Sequence, residues 1–208
     1  MIARTLLFDL DGTLVDSRIV VERHWRVFAK RHGIAAEPIL AVCHGRRTAD
    51  TIAEVAPQLD AAVEAALLDA AEEVDVVGLG PVPGSPELLA ALEPTSWAVV
   101  TSGHRALARR RLEAVGLPLP RVMVCGDEVV HGKPDPEGFL RAAELLGRDP
   151  RTCVVLEDAP AGIEAGRRAG ARTIAVTTTH DAGTLAAADV VVSDLHEAHA
   201  ALLELSEF

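Results

Sequence analysis

The stretch Thr5-Leu6-Leu7-Phe8-Asp9-Leu10-Asp11-Gly12-Thr13 decides the fold of this chain. Its apolar run lacks polar alternation, which is typical of a strand buried on both faces of a parallel sheet. Asp9 and Asp11 stand at i and i+2, so in a strand their carboxylates share one side and repel unless a cation or proton intervenes. Ligands of open α/β sheets bind beyond the carboxyl ends of strands, which makes this strand end a candidate site. Taken alone, the motif is also compatible with a solvated Asp-Gly turn.

Further apolar runs rich in Val, Ile and Leu recur along the chain and predict the remaining strands of the same sheet. They lie at residues 97–101, 122–125, 153–156, 173–176 and 190–192. Segments with helical spacing separate them, such as residues 106–115 and 136–146. Strand alternating with helix predicts a doubly wound α/β fold with a mainly parallel sheet.

One segment breaks the alternation and predicts a helical insert. From Ser17 to about Val77 the chain contains no convincing strand, and apolar residues recur at helical spacing. One set is Val21, Trp25 and Phe28, the last two being the expected core of the insert; a second set is Val63, Leu67 and Val74. We therefore predict a core of residues 1–15 and 79–208, with the helical insert at residues 16–78. Turn-rich linkers are expected near residues 15–18 and 78–84.

Composition excludes several classes of protein. The 208 residues include 20 basic and 31 acidic side chains, a formal net charge of −11, which argues against coating nucleic acid or binding anionic lipid. Hydrophobic residues make up 49% of the chain, so a core needs no disulfide or structural metal. The three cysteines, Cys43, Cys125 and Cys153, form no disulfide framework, and no apolar run reaches the roughly 18 residues of a membrane span. We expect a cytoplasmic protein, a monomer or a weak dimer.

Three more polar clusters follow apolar runs and suggest phosphoryl transfer. Thr101-Ser102-Gly103 offers a hydroxyl and backbone N–H groups that suit an anion. Glu157-Asp158 is a second carboxylate pair, and Lys133 is one of only two lysines, the other being Lys30. Carboxylate and carbonyl oxygens suit Mg²⁺, while a lysine and a hydroxyl can neutralise phosphate oxygens.

With these motifs in order, the chain resembles the haloacid dehalogenase superfamily over its whole length. The superfamily has a Rossmann-like core, and the helical insert matches the position of its small helical cap. The resemblance also places the first strand centrally, beside the second and fourth. A closer likeness is to sugar- and polyol-phosphate phosphatases, including the yeast-type glycerol phosphate and 2-deoxyglucose-6-phosphate enzymes. It rests on residues 44–48, 97–103 and 157–163.

The resemblance implies a role for each motif residue. Asp9 would be the nucleophile that takes the phosphoryl group, and Asp11 the acid and then base that serves the leaving oxygen and the water. Mg²⁺ would be held by the Asp9 carboxylate, the Asp11 backbone carbonyl and Asp158, with Glu157 nearby or acting through water. The transferring oxygens would be held by Thr101, Lys133 and the amides of Ser102 and Gly103.

Specificity for a small phosphorylated metabolite is expected from the insert, at Gly45-Arg46-Arg47. Either arginine could contact substrate hydroxyls or be solvated, and His44 is more simply a local hydrogen-bonding residue. Other charged residues are expected at the surface: the run Arg109-Arg110-Arg111 as a solvated helix face, Glu72 and Glu73 as exposed carboxylates, and His196 and His199 as surface histidines without a metal.

Two alternatives stay open. A phosphosugar mutase similar to β-phosphoglucomutase would need a cap histidine, where a gapless alignment from Asp9 places Val21, and a cap lysine that this chain lacks at that position. A non-enzymatic phosphosugar-binding protein would have no need of Asp11 beside Asp9. Asp11 also disfavours dehalogenase chemistry, and the absence of Gly-x-Gly-x-x-Gly after the first strand argues against a dinucleotide-binding oxidoreductase.

Overall fold

The computed structural model describes residues 4–204 and contains a parallel sheet of six strands. The strands are β1 (Thr5–Phe8), β4 (Trp97–Val100), β5 (Val122–Val124), β6 (Cys153–Glu157), β7 (Arg172–Val176) and β8 (Val190–Val192). The sheet order is β5-β4-β1-β6-β7-β8, and every neighbouring pair in it is parallel, so the predicted α/β fold is confirmed. As expected, β1 lies between β4 and β6.

Helices cover both faces of this sheet because its strands are apolar on both sides. Along β1, Leu6 and Phe8 lie in one buried cluster and Leu7 in the other, as the two-residue period of a strand requires. The first cluster includes Leu112 of one helix and Leu195 of another, and the second includes Phe139. The core helices are α5 (Ser85–Ala90), α6 (Arg105–Ala114), α7 (Glu137–Leu145), α8 (Pro160–Arg168) and α9 (Leu195–Glu204).

The helical insert packs around an apolar cluster of its own. Trp25 and Phe28 are buried there in an edge-to-face contact, with ring centroids 5.4 Å apart, as expected. The set Val63, Leu67 and Val74 lies on a helix but is exposed, because that helix buries its other face. The helices are α1 (Arg18–His32), α2 (Glu37–Leu40), α3 (Thr48–Val55) and α4 (Ala61–Val74).

The two connections between insert and core pair with each other. Strands β2 (Val15–Asp16) and β3 (Gly80–Pro81) form an antiparallel ribbon, which the sequence patterns did not predict because each strand has only two residues. The amide of Val82 also donates to the carbonyl of Leu14 at 3.0 Å. The chain therefore leaves the sheet and returns to it at adjacent points.

Two simpler expectations concern cysteines and membrane helices. Cys43, Cys125 and Cys153 are buried free thiols, and burial raises the pKa of Cys43 and of Cys125 to about 12. Between residues 4 and 204, no helix combines the length and apolarity needed to cross a membrane.

Candidate active site

The carboxyl ends of three adjacent strands bring the predicted site residues together. Asp9 follows β1, Thr101 follows β4 and Glu157 ends β6. The backbone continues the sheet pairing into the site, since the amide of Asp9 donates to the carbonyl of Leu156 at 2.9 Å. Asp9 is 2% exposed and Asp158 is 0% exposed, so the acidic side chains converge inside the protein.

Lys133 is the cation that balances these carboxylates. Its ammonium donates to Asp9 Oδ1 at 2.5 Å, to Glu157 Oε1 at 2.7 Å and to the carbonyl of Val100 at 3.1 Å. These three bonds use all the donors of a lysine. Burial on its own lowers the pKa of Lys133, but Asp9 and Glu157 raise it above its usual value. The lysine is therefore charged and held against the proposed nucleophile.

Both carboxylate oxygens of Glu157 accept hydrogen bonds from neighbouring groups. Its Oε1 accepts from Lys133, while Oε2 accepts from the amides of Asp158 and Ala159, each at 2.9 Å. Gly162, in the first turn of α8, leaves room for this carboxylate, because a Cβ at that position would overlap it. Both oxygens of Glu157 are therefore engaged, and one of them helps to orient Lys133.

Asp158 is oriented by two threonines that the sequence did not single out. Thr179 contacts Asp158 Oδ2 and also lies 3.0 Å from the carbonyl of Asp158, and the hydroxyl of Thr13 lies 3.5 Å from Oδ1. The carboxylate packs so closely on Gly12 that a Cβ there would overlap it, and the φ of Gly12, +90°, also favours glycine. Thr13 belongs to the quoted motif, but no local pattern points to Thr179.

The residues present fit a divalent cation. One carboxylate oxygen each of Asp9, Glu157 and Asp158 can be chosen so that all three lie within 4.8 Å of one another. Asp9 Oδ2 is buried and has no hydrogen-bond partner within residues 4–204. Burial raises the pKa of Asp9 well above its usual range against the opposing effect of Lys133, and burial and then Glu157 raise that of Asp158. Hard oxygen donors with excess negative charge suit Mg²⁺.

A cavity of about 60 Å³ between the helical insert and the sheet edge, here called the central cavity, reaches these groups. Both parts of the chain line it, so the insert forms one wall of the candidate site. From the sheet edge come Asp9, Asp11, Thr101, Ser102 and Gly103, from α6 Leu107 and Arg111, and from the insert Val21, Trp25, Cys43, His44, Gly45, Arg46, Thr48 and Glu72.

The two arginines of the predicted specificity loop are placed differently. Arg46 lines the central cavity and forms an ion pair with Glu54 at 2.7 Å. Arg47 lies outside that cavity and donates to the carbonyls of Val129 and Val130, at 3.4 and 3.2 Å. Arg47 therefore ties the insert to the core, whereas Arg46 lines the central cavity.

Gly45 and Ser102 form a second tie between insert and core. The hydroxyl of Ser102 donates to the carbonyl of Gly45 at 2.9 Å, and the amide of Gly103 donates to Thr101 Oγ1 at 3.0 Å. Gly45 has φ +75°, and a Cβ there would press on Ala159. The predicted anion-binding loop and the predicted specificity loop are therefore in direct contact.

Two expectations of exposure were wrong. Arg111 is 3% exposed and Glu72 is 6% exposed, and they form a buried ion pair with each other. Arg111 Nη1 also lies 2.6 Å from Asp11 Oδ1. Helical spacing carried the missed signal: Arg111 follows buried Leu107 by four residues on α6, and Glu72 follows buried Leu68 by four on α4. Both side chains therefore belong to the inner faces of their helices.

The remaining charged residues singled out in the sequence are exposed to different degrees, and Glu73 and His199 are only partly exposed. Arg109 and Arg110 are exposed. His196 is exposed, and neither His196 nor His199 lies in any cluster within residues 4–204 that could hold a metal ion. His44 is mostly buried, 6.0 Å from His180 between ring centroids, and burial followed by His180 lowers its pKa.

Comparisons with known proteins agree with this geometry. The model of a hydrolase family, the haloacid dehalogenase-like hydrolases, matches residues 3–170. Hexitol phosphatase A of Escherichia coli (strain K12) is 41% identical over 202 residues, covering 95% of this chain and 94% of that protein. 2-Deoxyglucose-6-phosphate phosphatase 1 of Saccharomyces cerevisiae is 35% identical over 215 residues, covering 91% and 87%.

A solved structure supports the same assignment. The crystal structure of a hydrolase from Pseudomonas syringae matches with a TM-score of 0.87 and 29% identity, covering 97% of this chain and 98% of that one. The family match includes Asp9, Thr101, Lys133 and Asp158, which the fold gathers at one sheet edge. By sequence, fold and the arrangement of its acidic side chains, this chain belongs to the haloacid dehalogenase-like hydrolase family.

Proposed function

We propose that the chain is a magnesium-dependent phosphatase that hydrolyses a small sugar or polyol phosphate through a phosphoryl group carried on Asp9. One observation carries the proposal: Asp9 is buried at the strand end with Oδ1 held by Lys133 and Oδ2 free of any hydrogen bond within residues 4–204. A carboxylate held in this way has a fixed orientation at the sheet edge, and Asp9 lines the central cavity that a phosphate ester would enter. The names of the hexitol and 2-deoxyglucose-6-phosphate phosphatases support the substrate class.

The reaction divides into two transfers. In the first, an oxygen of Asp9 attacks phosphorus, the bond from phosphorus to the ester oxygen breaks, and Asp11 gives that leaving oxygen a proton. In the second, Asp11 takes a proton from water as the water oxygen attacks the aspartyl phosphate. Inorganic phosphate leaves, and Asp9 is regenerated as a carboxylate. Both aspartates line the central cavity, as this sequence of steps requires.

Charge compensation would come from the surrounding groups. Lys133 offsets the charge of Asp9, while the hydroxyl of Thr101 and the amides of Ser102 and Gly103 lie at the adjacent strand end. Positioned donors of this kind lower the barrier of phosphoryl transfer mainly by electrostatic stabilisation. We assign these four residues to the phosphate oxygens; Lys133 and the Gly103 amide would each exchange a present hydrogen-bond partner for phosphate.

The proposed metal site uses the Asp9 carboxylate, Asp158 and the backbone carbonyl of Asp11, with Glu157 acting indirectly through Lys133. When bound, Mg²⁺ would supply positive charge beside the phosphate oxygens. The orientation of Asp158 by Thr179 and Thr13 prepares this side chain for that role.

The helical insert, residues 16–78, would serve as a cap over the core of residues 1–15 and 79–208. Gly45 and Arg46 bring the cap to the central cavity, which the leaving group would enter. By excluding bulk water, such a cap would favour transfer of the phosphoryl group to Asp9 over side reactions. Arg46 supplies a charged donor that suits the hydroxyl-rich part of such a substrate.

A panel of phosphate esters tests the proposal. Inorganic phosphate release would be measured for hexitol phosphates, 2-deoxyglucose 6-phosphate, glycerol 1-phosphate and p-nitrophenyl phosphate, with Mg²⁺ and with EDTA. We expect turnover that EDTA abolishes and that Asp9→Asn removes, whereas the exposed control Asp127→Asn stays active. Full activity of Asp9→Asn, or isomerised sugar phosphate in place of free phosphate, would refute hydrolysis through Asp9.

A further inference from the structure

Arg111 occupies an unusual position for an arginine of an acidic protein. It lies on the inner face of α6, is 3% exposed and lines the central cavity rather than the surface. A buried guanidinium is costly unless it is paired, so its partners indicate why it is there. Its two partners come from different parts of the chain.

One partner is Asp11 and the other is Glu72. Arg111 Nη1 lies 2.6 Å from Asp11 Oδ1 at the sheet edge, and Nη2 contacts the carboxylate of Glu72 on α4 of the helical insert. The fork of a guanidinium has fixed geometry, so binding Glu72 at one nitrogen fixes where the other nitrogen lies. The orientation of the Asp11 carboxylate therefore depends on a side chain that the insert supplies.

We propose that Arg111 is a positioning residue for Asp11, and that Glu72 makes this positioning depend on docking of the insert. The inference rests on the function proposed above, in which Asp11 protonates the leaving oxygen. If the insert moves away, Glu72 leaves with it and Arg111 loses the contact that fixes its fork. Asp11 is then correctly placed only when the insert covers the substrate.

A purely mechanical tie would not need these residues. Arg47 already joins insert and core through the carbonyls of Val129 and Val130, outside the central cavity. Arg111 instead meets Asp11 within the central cavity, where its Nη1 engages Asp11 Oδ1.

The leaving group distinguishes positioning of a general acid from general stability. p-Nitrophenolate leaves without a proton, whereas a sugar or polyol alkoxide needs one, so only the second ester depends on a well-placed Asp11. The parameter to measure is kcat/KM, which reports the first phosphoryl transfer and excludes the later hydrolysis of the aspartyl phosphate. The alkyl ester for this comparison would be whichever sugar or polyol phosphate of the panel above gives the highest kcat/KM.

Arg111→Met should lower kcat/KM for the alkyl ester roughly tenfold or more. The same variant should lower kcat/KM for p-nitrophenyl phosphate by less than about threefold. Arg111→Lys should restore part of the loss, because an ammonium keeps the charge but cannot span both carboxylates. The matched control is Arg110→Met on the same helix, where the arginine is exposed, and it should leave both esters unchanged.

Glu72→Gln tests the contribution of the insert. It should cause a smaller loss with the same preference for the alkyl ester, and it should add little when combined with Arg111→Met, since the two residues act as one unit. Urea denaturation of each variant would establish that it folds. If Arg111→Met does not fold, Arg111→Lys and Glu72→Gln decide the question alone.

Three outcomes would overturn the inference: equal losses for both esters, additive effects of the two substitutions, or no effect of any variant. Failure of the proposed function has a different signature, because the unmodified protein would then release no phosphate from any ester. The two failures are therefore distinguishable in one set of assays.

Discussion

The ammonium of Lys133 lies 2.5 Å from Oδ1 of Asp9, while Oδ2 of the same carboxylate makes no hydrogen bond within residues 4–204. Lys133 thus fixes the orientation of the carboxylate, while Oδ2 keeps its capacity to bind a cation. Lys133 is also the counterion of two buried carboxylates, Asp9 and Glu157, so the lysine should matter for stability as well as for activity.

Lys133→Met should lower the free energy of unfolding at pH 7 by about 3–5 kcal/mol, because it leaves both carboxylates buried without their cation. Urea denaturation measures the change. The matched control is Lys30→Met, at the only other lysine in the chain, which is exposed. Adding Glu157→Gln to Lys133→Met should recover part of the loss, and equal stabilities of the two lysine variants would contradict the pairing.

Mg²⁺ should raise the melting temperature, and Asp158→Asn should remove that effect. At a concentration 100 times its Kd, a ligand bound only by the folded state adds about 3 kcal/mol of stability. For a chain of this size, each kcal/mol of added stability raises the melting temperature by roughly 2–4 °C. Thermal denaturation with and without Mg²⁺ measures the shift.

The control for this metal prediction is Asp135→Asn. Asp135 lies in a second cluster, with His131 and Glu137, which is partly exposed and could also hold an ion. If Asp135→Asn removed the effect of Mg²⁺ and Asp158→Asn kept it, the ion would bind at the cluster that contains Asp135. That result would contradict the proposed mechanism.

Arg46→Met should raise KM for a sugar or polyol phosphate roughly tenfold with a smaller effect on kcat, because it removes a donor from the central cavity without touching the reacting groups. p-Nitrophenyl phosphate, which lacks the hydroxyls, should be affected less. Steady-state kinetics with both esters gives the comparison. A matching loss for the two esters would argue against a specificity role for Arg46.

Arg47→Met should loosen the insert instead. Loss of the hydrogen bonds to the carbonyls of Val129 and Val130 removes about 1 kcal/mol from the free energy that docks the insert on the core. This is roughly a fivefold change in the docking equilibrium. Limited proteolysis near residues 15–18 and 78–84 should accelerate accordingly, with Arg46→Met as the control. An unchanged cleavage rate would show that Arg47 does not hold the insert in place.

Glu72 should make stability depend on pH. Burial raises the pKa of Glu72 to about 7 from its usual 4.5, with Arg111 opposing the rise. The folded protein therefore binds this proton more tightly than the unfolded chain, so the stability that Glu72 contributes is fully present below about pH 4.5 and is lost as the pH rises through about 7. The loss from this group is about 3 kcal/mol at most.

Glu72→Gln removes the titrating group and should flatten this part of the profile. Urea denaturation between pH 5 and 8 would compare the variant with the unmodified protein, and the variant should gain in relative stability as the pH rises. Parallel profiles for the two proteins would contradict the raised pKa. A variant that is more stable at pH 8 but slower with alkyl esters would separate stability from positioning.

Local patterns predicted the strands and the motif residues because both depend on neighbours in sequence. An apolar run needs only its own residues to indicate a buried strand, and Asp9 and Asp158 each stand at the end of such a run. Lys133 stood out instead as one of only two lysines. Parallel strands then bring their carboxyl ends to one edge. The central position of β1 came from the family resemblance and is confirmed.

Pairings between distant segments could not be predicted in the same way. The contact of Thr179 with Asp158 and that of Arg111 with Glu72 depend on how loops and helices pack, which no single segment encodes. Charge was misleading for Arg111 and Glu72, since charged residues are usually exposed. Helical spacing was the better guide, because it places both side chains on inner faces.

The ribbon of β2 and β3 has a consequence for how such a protein can diversify. Val15 pairs with Pro81 and Asp16 with Gly80, so the insert departs and rejoins through neighbouring points. Lengthening or replacing a segment between fixed, adjacent anchors costs little chain entropy. The segment between these anchors can thus change in length or sequence while the core keeps its reacting groups. Related proteins can therefore differ in the ester that they prefer and share the same chemistry.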